Sequence, residues 1–224
     1  MRENHLTVAR TARYFTLGPE GRGVGEVWFL LHGYGQLAER FLPDFRPLDD
    51  GTRLLVAPEG LSRFYVDRAS HQVGASWMTR EDRLAEIADY VRYLDAVSDA
   101  VLRDAPRDRR VHVLGFSQGT ATAARWMVQG ALRAERLILW GGEVPPDLGL
   151  EREAVRDRLR ALALTIVAGS RDEYITPKVL ARDTARLDEA AIPYRVVPFD
   201  GGHAIDERVL RDLAATGGEP MTDG

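Results

Sequence analysis

The sequence of 224 residues contains no cysteine. That excludes a disulfide framework, a thiolate nucleophile and any zinc or iron–sulfur site built on cysteine. Lysine is almost absent too: Lys178 stands alone among 30 basic residues. Set against 34 acidic residues, these give a formal charge of −4, so no bulk attraction for nucleic acid or anionic lipid is expected. Long apolar runs are also missing. Val27–Leu31 and Val111–Leu114 are among the longest, far short of the ~20 residues a membrane-spanning helix needs. The first ten residues are charged and lack the apolar core of a secretory signal. A cytoplasmic protein is expected, with no membrane insertion and no nucleic-acid partner.

What is present is ordinary globular material, 45% hydrophobic and 29% charged. A single domain over 1–224 is expected, with a polar tail from 216 to 224 that frays. Seven stretches read as strands: Arg13–Leu17, Val27–Leu31, Arg53–Ala57, Val111–Leu114, Arg136–Trp140, Leu164–Ala168 and Tyr194–Val197. Several are apolar throughout rather than alternating, as strands covered on both faces are. The first two, around the turn-rich stretch 18–25, read as an antiparallel hairpin. Helical segments fall between the others: Arg80–Arg103, Ser117–Gln129, Glu151–Ala161, Pro177–Ala191 and Ile205–Ala215. Thr176-Pro177 reads as a helix cap followed by proline in the first turn. This alternation predicts an α/β fold, a mostly parallel sheet of about seven strands with helices on both faces. Ligands of such sheets bind beyond the C-terminal ends of the strands. Two connections, 58–79 and 141–149, are long and shapeless enough to be lids or pocket walls.

The strongest chemical signal is Gly115-Phe-Ser117-Gln-Gly119. An apolar strand precedes it and a helix-forming run follows, the setting of a nucleophile elbow. A serine hydroxyl is a weak nucleophile at neutral pH and needs an adjacent base. Of the five histidines, His203 follows the last strand in Gly201-Gly-His203, at the sheet edge where a base is required. His112 lies inside a strand and reads as a satisfied structural residue, and His5 and His71 have no motif around them. The imidazole in turn needs a carboxylate. Asp172, after the strand ending at Ala168, is the first candidate, with Glu173 and Asp200 as rivals. The order serine, acid, histidine is that of an α/β-hydrolase. Leu31-His-Gly-Tyr-Gly35 ends an earlier strand. The backbone N–H groups of Tyr34 and Gln118 are the expected oxyanion donors, and His32 is expected to hold the loop. Trp77 and Met78 are candidate substrate-binding walls. No spacing of histidines and carboxylates indicates a metal site.

Taken together, Leu31-His-Gly-Tyr-Gly35, Gly115-Phe-Ser-Gln-Gly119, Gly169-Ser-Arg-Asp172 and Gly202-His203 resemble the phospholipase/carboxylesterase family of α/β-hydrolases. That family includes carboxylesterases and acyl-protein thioesterases. The resemblance runs from about Trp28 to Ile205. It implies an α/β-hydrolase fold without a large cap domain, and a cofactor-free serine carboxylesterase that forms an acyl-enzyme on a small-molecule ester, with a homodimer among the expected states. Thioesterase or lysophospholipase activity is an alternative, and a non-catalytic binding protein on a hydrolase fold is another. Three departures from the family pattern bear on the acyl pocket. Thr120 stands where many relatives have a second glycine, Trp77-Met78-Thr79 where they often have Trp-Phe/Tyr-Asp, and Gly141-Gly142-Glu143 where serine-glycine is usual.

Overall fold

The computed structural model describes residues 1–216. Beyond Thr216, the tail expected to fray lies outside the described residues. In chain order the elements are β1 (Tyr14–Leu17), β2 (Glu26–Leu31), α1 (Ala38–Phe41) running into a 3-10 helix (Leu42–Leu48), and β3 (Arg53–Pro58). Then come β4 (Ser62–Asp67), β5 (Gln72–Ser76), α2 (Arg83–Leu102), β6 (Arg110–Phe116), α3 (Gln118–Gln129) and β7 (Arg136–Trp140). The chain continues through α4 (Glu153–Arg160), β8 (Ala163–Gly169), α5 (Pro177–Glu189), β9 (Tyr194–Phe199) and α6 (Glu207–Ala215).

Seven strands form one sheet in the order β1-β3-β2-β6-β7-β8-β9, parallel throughout except for β1. The apolar runs read from the sequence are its central strands, and both of their faces are buried. Side chains alternate across a strand, so each strand feeds two cores. Phe29, Val113, Leu139 and Ile166 face α2, α3 and α4, where Leu94, Trp126 and Leu159 meet them. Trp28, Leu30, Leu114 and Trp140 face the other way, onto Phe41 and Phe45 of the α1 region and onto Leu210 of α6. Helices therefore cover both faces. Thr176 caps α5 as expected, accepting from the Val179 N–H, with Pro177 in the first turn. Among the described residues no helix is long and apolar enough to cross a membrane.

Three expectations need correction. The first strand does not form a hairpin with the second: β1 pairs antiparallel with β3, Tyr14 opposite Pro58. β3 occupies the parallel position beside β2, and the connection 18–25 is longer than the two to five residues of a tight hairpin loop. It leaves β1 on the outer edge of β3, makes a 3-10 turn at Gly21–Gly23 and crosses to β2 on the inner side of β3. The segment 58–79 is not shapeless either. β4 and β5 form a separate two-stranded hairpin, Phe64 opposite Gly74. The long helix expected from Arg80 starts at Arg83, because Asp82 takes a left-handed φ of 44°.

At the N-terminal edge of the sheet the strands bury a cluster of charge. Glu26 is 5% exposed and accepts hydrogen bonds from Trp28 Nε1 and Arg53 Nε, both at 2.9 Å, and from Arg110. His112 lies beside it, with its ring 4.7 Å from that of Trp28 and Nε2 3.7 Å from Glu26 Oε2. Arg136 donates to the Leu213 carbonyl at 2.8 Å. His112 was expected to be satisfied, but its buried Nδ1 has no partner among the described residues. Burial, and after it the charge of Arg136, holds the His112 pKa below the ordinary histidine value against the opposing pull of Glu26. The unfolded chain therefore binds the proton more readily than the fold does, and stability falls as pH drops below about 6.5, the unperturbed histidine value. Burial lowers His32 in the same direction. His112→Phe keeps a ring against Trp28 and removes one of these titrations. Denaturant unfolding between pH 7 and 5 should show a shallower loss of stability than in the parent chain. An unchanged slope would mean that His112 does not titrate with folding.

Candidate functional site

β6 ends at Phe116 and α3 begins at Gln118, so Ser117 alone makes the turn, with φ 54° and ψ −118°. Non-glycine residues seldom occupy this region of φ, and strain of this kind gathers at functional turns. Neighbouring backbone holds the serine there: its N–H donates to the Trp140 carbonyl at 2.9 Å, and its carbonyl accepts from Thr120 at 3.0 Å. The flanking glycines are steric requirements. A Cβ on Gly115 would lie 2.2 Å from the Gly119 carbonyl oxygen, and one on Gly119 would lie 2.1 Å from that of Leu31. α3 thus packs directly on the ends of β2 and β6, and the Ser117 side chain stands at the C-terminal edge of the sheet.

His203 and Asp172 reach the same edge from the loops after β9 and β8. His203 Nε2 lies 2.9 Å from Ser117 Oγ, and its Nδ1 lies 2.9 Å from Asp172 Oδ2. A carboxylate can only accept, so Nδ1 carries the ring proton and Nε2 is left to accept from the serine hydroxyl. Asp172 Oδ1 accepts from the N–H groups of Tyr174 (2.8 Å) and Ile175 (3.1 Å), so both oxygens are engaged. Burial pushes the Asp172 pKa up, but the His203 bond and these two N–H groups outweigh it, and the net direction is below the usual carboxylate range. The rivals point elsewhere. Glu173 is exposed, and Asp200 pairs with Arg171 and Ser170. The His203 ring is flanked by Phe116 at 4.9 Å and Tyr174 at 4.6 Å.

The loop after β2 lies against the serine: a Cβ on Gly33 would be 3.1 Å from that of Ser117. His32 is fully buried and holds this loop. Its Nε2 accepts from the Gly60 N–H at 2.9 Å, so the proton is on Nδ1, which donates to the Gly33 carbonyl at 2.8 Å. The Gly33 N–H donates to Gln36 Oε1 at 2.7 Å and the Gly35 N–H to the Ala75 carbonyl at 2.9 Å. Between them the Tyr34 N–H makes no hydrogen bond among the described residues. The Gln118 N–H, at the first position of α3, has no partner within its helix. The Gln118 side chain is a clamp: it accepts from the Trp77 N–H at 3.1 Å and donates to the Met78 carbonyl at 2.8 Å. The sequence reading missed Gln36, this side-chain role of Gln118, and Tyr174. Each depends on contacts that short spacing does not reveal.

The expected pocket walls are placed differently. Trp77 is 2% exposed, stacked on His32 at 4.9 Å, and its Nε1 donates to the His32 carbonyl; it belongs to the core. Met78 is half-buried against the same core, with Sδ 3.6 Å from Arg125 Nη1. The segment after β7 is bolted down rather than loose. Asp147 pairs with Arg125 and Arg83, Asp183 accepts from the Val144 N–H at 2.8 Å, and Arg186 donates to the carbonyls of Val144 and Pro145. Thr120 and Gly142 also meet here. The Thr120 hydroxyl donates to the Gly115 carbonyl at 3.1 Å, in space that a Cβ on Gly142 would enter at 2.4 Å.

No protein-family model and no curated protein matches the sequence. Solved structures do resemble it. Acyl-protein thioesterase 2 of Zea mays is 17% identical, with a TM-score of 0.68 over 92% of this chain and 99% of that one. A carboxylesterase from Mesorhizobium loti is 22% identical, with a TM-score of 0.66 over 91% of this chain and 94% of that one. Esterase PE8 is 20% identical, with a TM-score of 0.61 over 92% and 98%. The fold is thus the α/β-hydrolase fold, with the mostly parallel seven-stranded sheet that the sequence pattern implied.

The contact between α3 and β2 has a direct test. Gly119→Ala must push the helix off the Leu31 carbonyl, and overpacking of this kind costs about 1–3 kcal/mol. The melting temperature should fall, by about 2–4 °C per kcal/mol for a chain of this size. An unchanged melting temperature would show that the close approach is not tight.

Proposed function

We propose that the protein is a serine carboxylesterase of the phospholipase/carboxylesterase type, in which Ser117, His203 and Asp172 hydrolyse a small-molecule ester. The hydrogen bond from Ser117 Oγ to His203 Nε2, at 2.9 Å, carries this reading. His203 takes the serine proton as Oγ attacks the ester carbonyl, and Asp172 stabilises the imidazolium that forms. The N–H groups of Tyr34 and Gln118 receive the oxyanion, each worth about 2.7–4 kcal/mol in the transition state. His203 then protonates the leaving alcohol. Water, deprotonated by the same imidazole, releases the acid from the acyl-enzyme. Esterases and a thioesterase of the same fold support hydrolysis as the reaction class. An ester and a thioester present the same carbonyl to this site, so a hydrolysis screen includes both.

Ser117→Ala should lower kcat by on the order of 10⁶, since losing the nucleophile removes nearly the whole effect of such a unit. A fluorophosphonate probe should label the parent chain and not this variant. Folded protein that takes no label would instead be a binding protein on a hydrolase fold.

Gln36 holds the loop that presents the Tyr34 N–H, and it acts as a positioning residue. Gln36→Met keeps the size and removes the acceptor from the Gly33 N–H. Misplacement by about 1 Å can cost ~10²-fold, so kcat should drop by about 10- to 100-fold with little change in KM. A raised KM at unchanged kcat would assign Gln36 to binding alone.

A further inference from the structure

Beside Ser117 the protein leaves large apolar side chains in water. Tyr34 is 60% exposed and Val66 47%. The Tyr34 ring lies against that of Phe64 at 5.1 Å and 31°, close to parallel. Val66 borders the same spot, 3.6 Å from where a Cβ on Gly35 would be. The hairpin β4–β5 that carries Phe64 and Val66 is secured to the site. The Gly35 N–H donates to the Ala75 carbonyl at 2.9 Å and the Ala75 N–H to the Gln36 carbonyl at 3.1 Å, while Gln118 grips its base. The result is an exposed apolar shelf one residue away from Gly33, where an added Cβ would lie 3.1 Å from that of Ser117.

The direction of the reaction assigns this shelf a ligand. Around the tetrahedral carbon, the oxygen turns to the N–H groups of Tyr34 and Gln118. The leaving group turns to His203, which alone can protonate it. His203 follows β9, and the loop bearing Tyr34 follows β2, with Ser117 between them after β6. The acyl substituent is left to the hairpin side. Trp77, 2% exposed and stacked on His32, belongs to the packed core on that side. The exposed shelf is the surface a substituent there meets. Flat rings prefer offset or tilted contact with other rings, and the Tyr34–Phe64 pair offers two.

We propose that the Tyr34–Phe64 shelf binds a planar aromatic acyl group, so that the substrates are esters of aryl-bearing carboxylic acids. This rests on the ester-hydrolase reading above. The test compares ethyl phenylacetate with ethyl cyclohexylacetate, which share a leaving group and differ in whether the acyl ring is flat. Ethyl acetate is the reference for hydrolysis itself. The parent chain should favour the flat ring by about tenfold in kcat/KM, the scale of one aromatic contact. In Phe64→Leu and in Tyr34→Leu that ratio should fall to within about twofold of one. The ratio is internal to each variant, so a general loss of activity does not mimic the effect. Equal rates for the two rings in the parent chain, or a preference that survives both substitutions, would overturn the proposal while leaving ester hydrolysis intact. If none of the three esters is cleaved, the hydrolase reading fails and the acyl assignment falls with it.

Discussion

The arrangement at the C-terminal edge depends on one close approach, that of the first turn of α3 to the end of β2. The backbone at 119 sits where even a single methyl group would strike the Leu31 carbonyl. That contact draws the helix N-terminus down between two strands and forces Ser117 alone into a left-handed turn. With Ser117 fixed, Gly33 is brought against it and Trp140 accepts its N–H. The loops after β8 and β9 then need only deliver a carboxylate and an imidazole to a serine whose position backbone has already settled. Pre-set geometry of this kind matters because donors and bases that need no rearrangement act at full strength when charge develops.

The two edges of the sheet use buried polar groups in opposite ways. At the C-terminal edge the chain Asp172–His203–Ser117 is satisfied at every step. At the N-terminal edge Glu26 gathers two arginines and an indole N–H around it, and His112 is trapped beside them with an unpartnered nitrogen. The first cluster is a continuous line of hydrogen bonds from carboxylate to imidazole to hydroxyl. In the second, burial and after it the charge of Arg136 oppose a proton on His112. Distance along the strands keeps these two chemistries apart.

The Thr120 hydroxyl fills space that a side chain at 142 would need, and the glycine at 142 leaves it free. The segment after β7 is anchored through Asp147 and by Asp183 and Arg186 of α5. The β4–β5 hairpin is likewise tied to its neighbours, through Gln118 and Ala75.

The sequence by itself determined the α/β layering and the identity of Ser117 and His203 as the pair to meet. Apolar runs bounded by turn residues mark buried parallel strands, and a glycine-flanked serine between strand and helix has few other uses. It also marked the Thr176 cap, because capping is decided within four residues. Only the tertiary structure decided which edge β1 would join, since strand partners are chosen by packing over long separations. It also separated Asp172 from Glu173 and Asp200: all three lie near the right loops in the chain, but only one carboxylate points at the imidazole. Trp77 went to the core rather than to a pocket for the same reason. Its neighbours His32 and Tyr90 come from distant segments, and no local pattern records a contact between residues 45 positions apart.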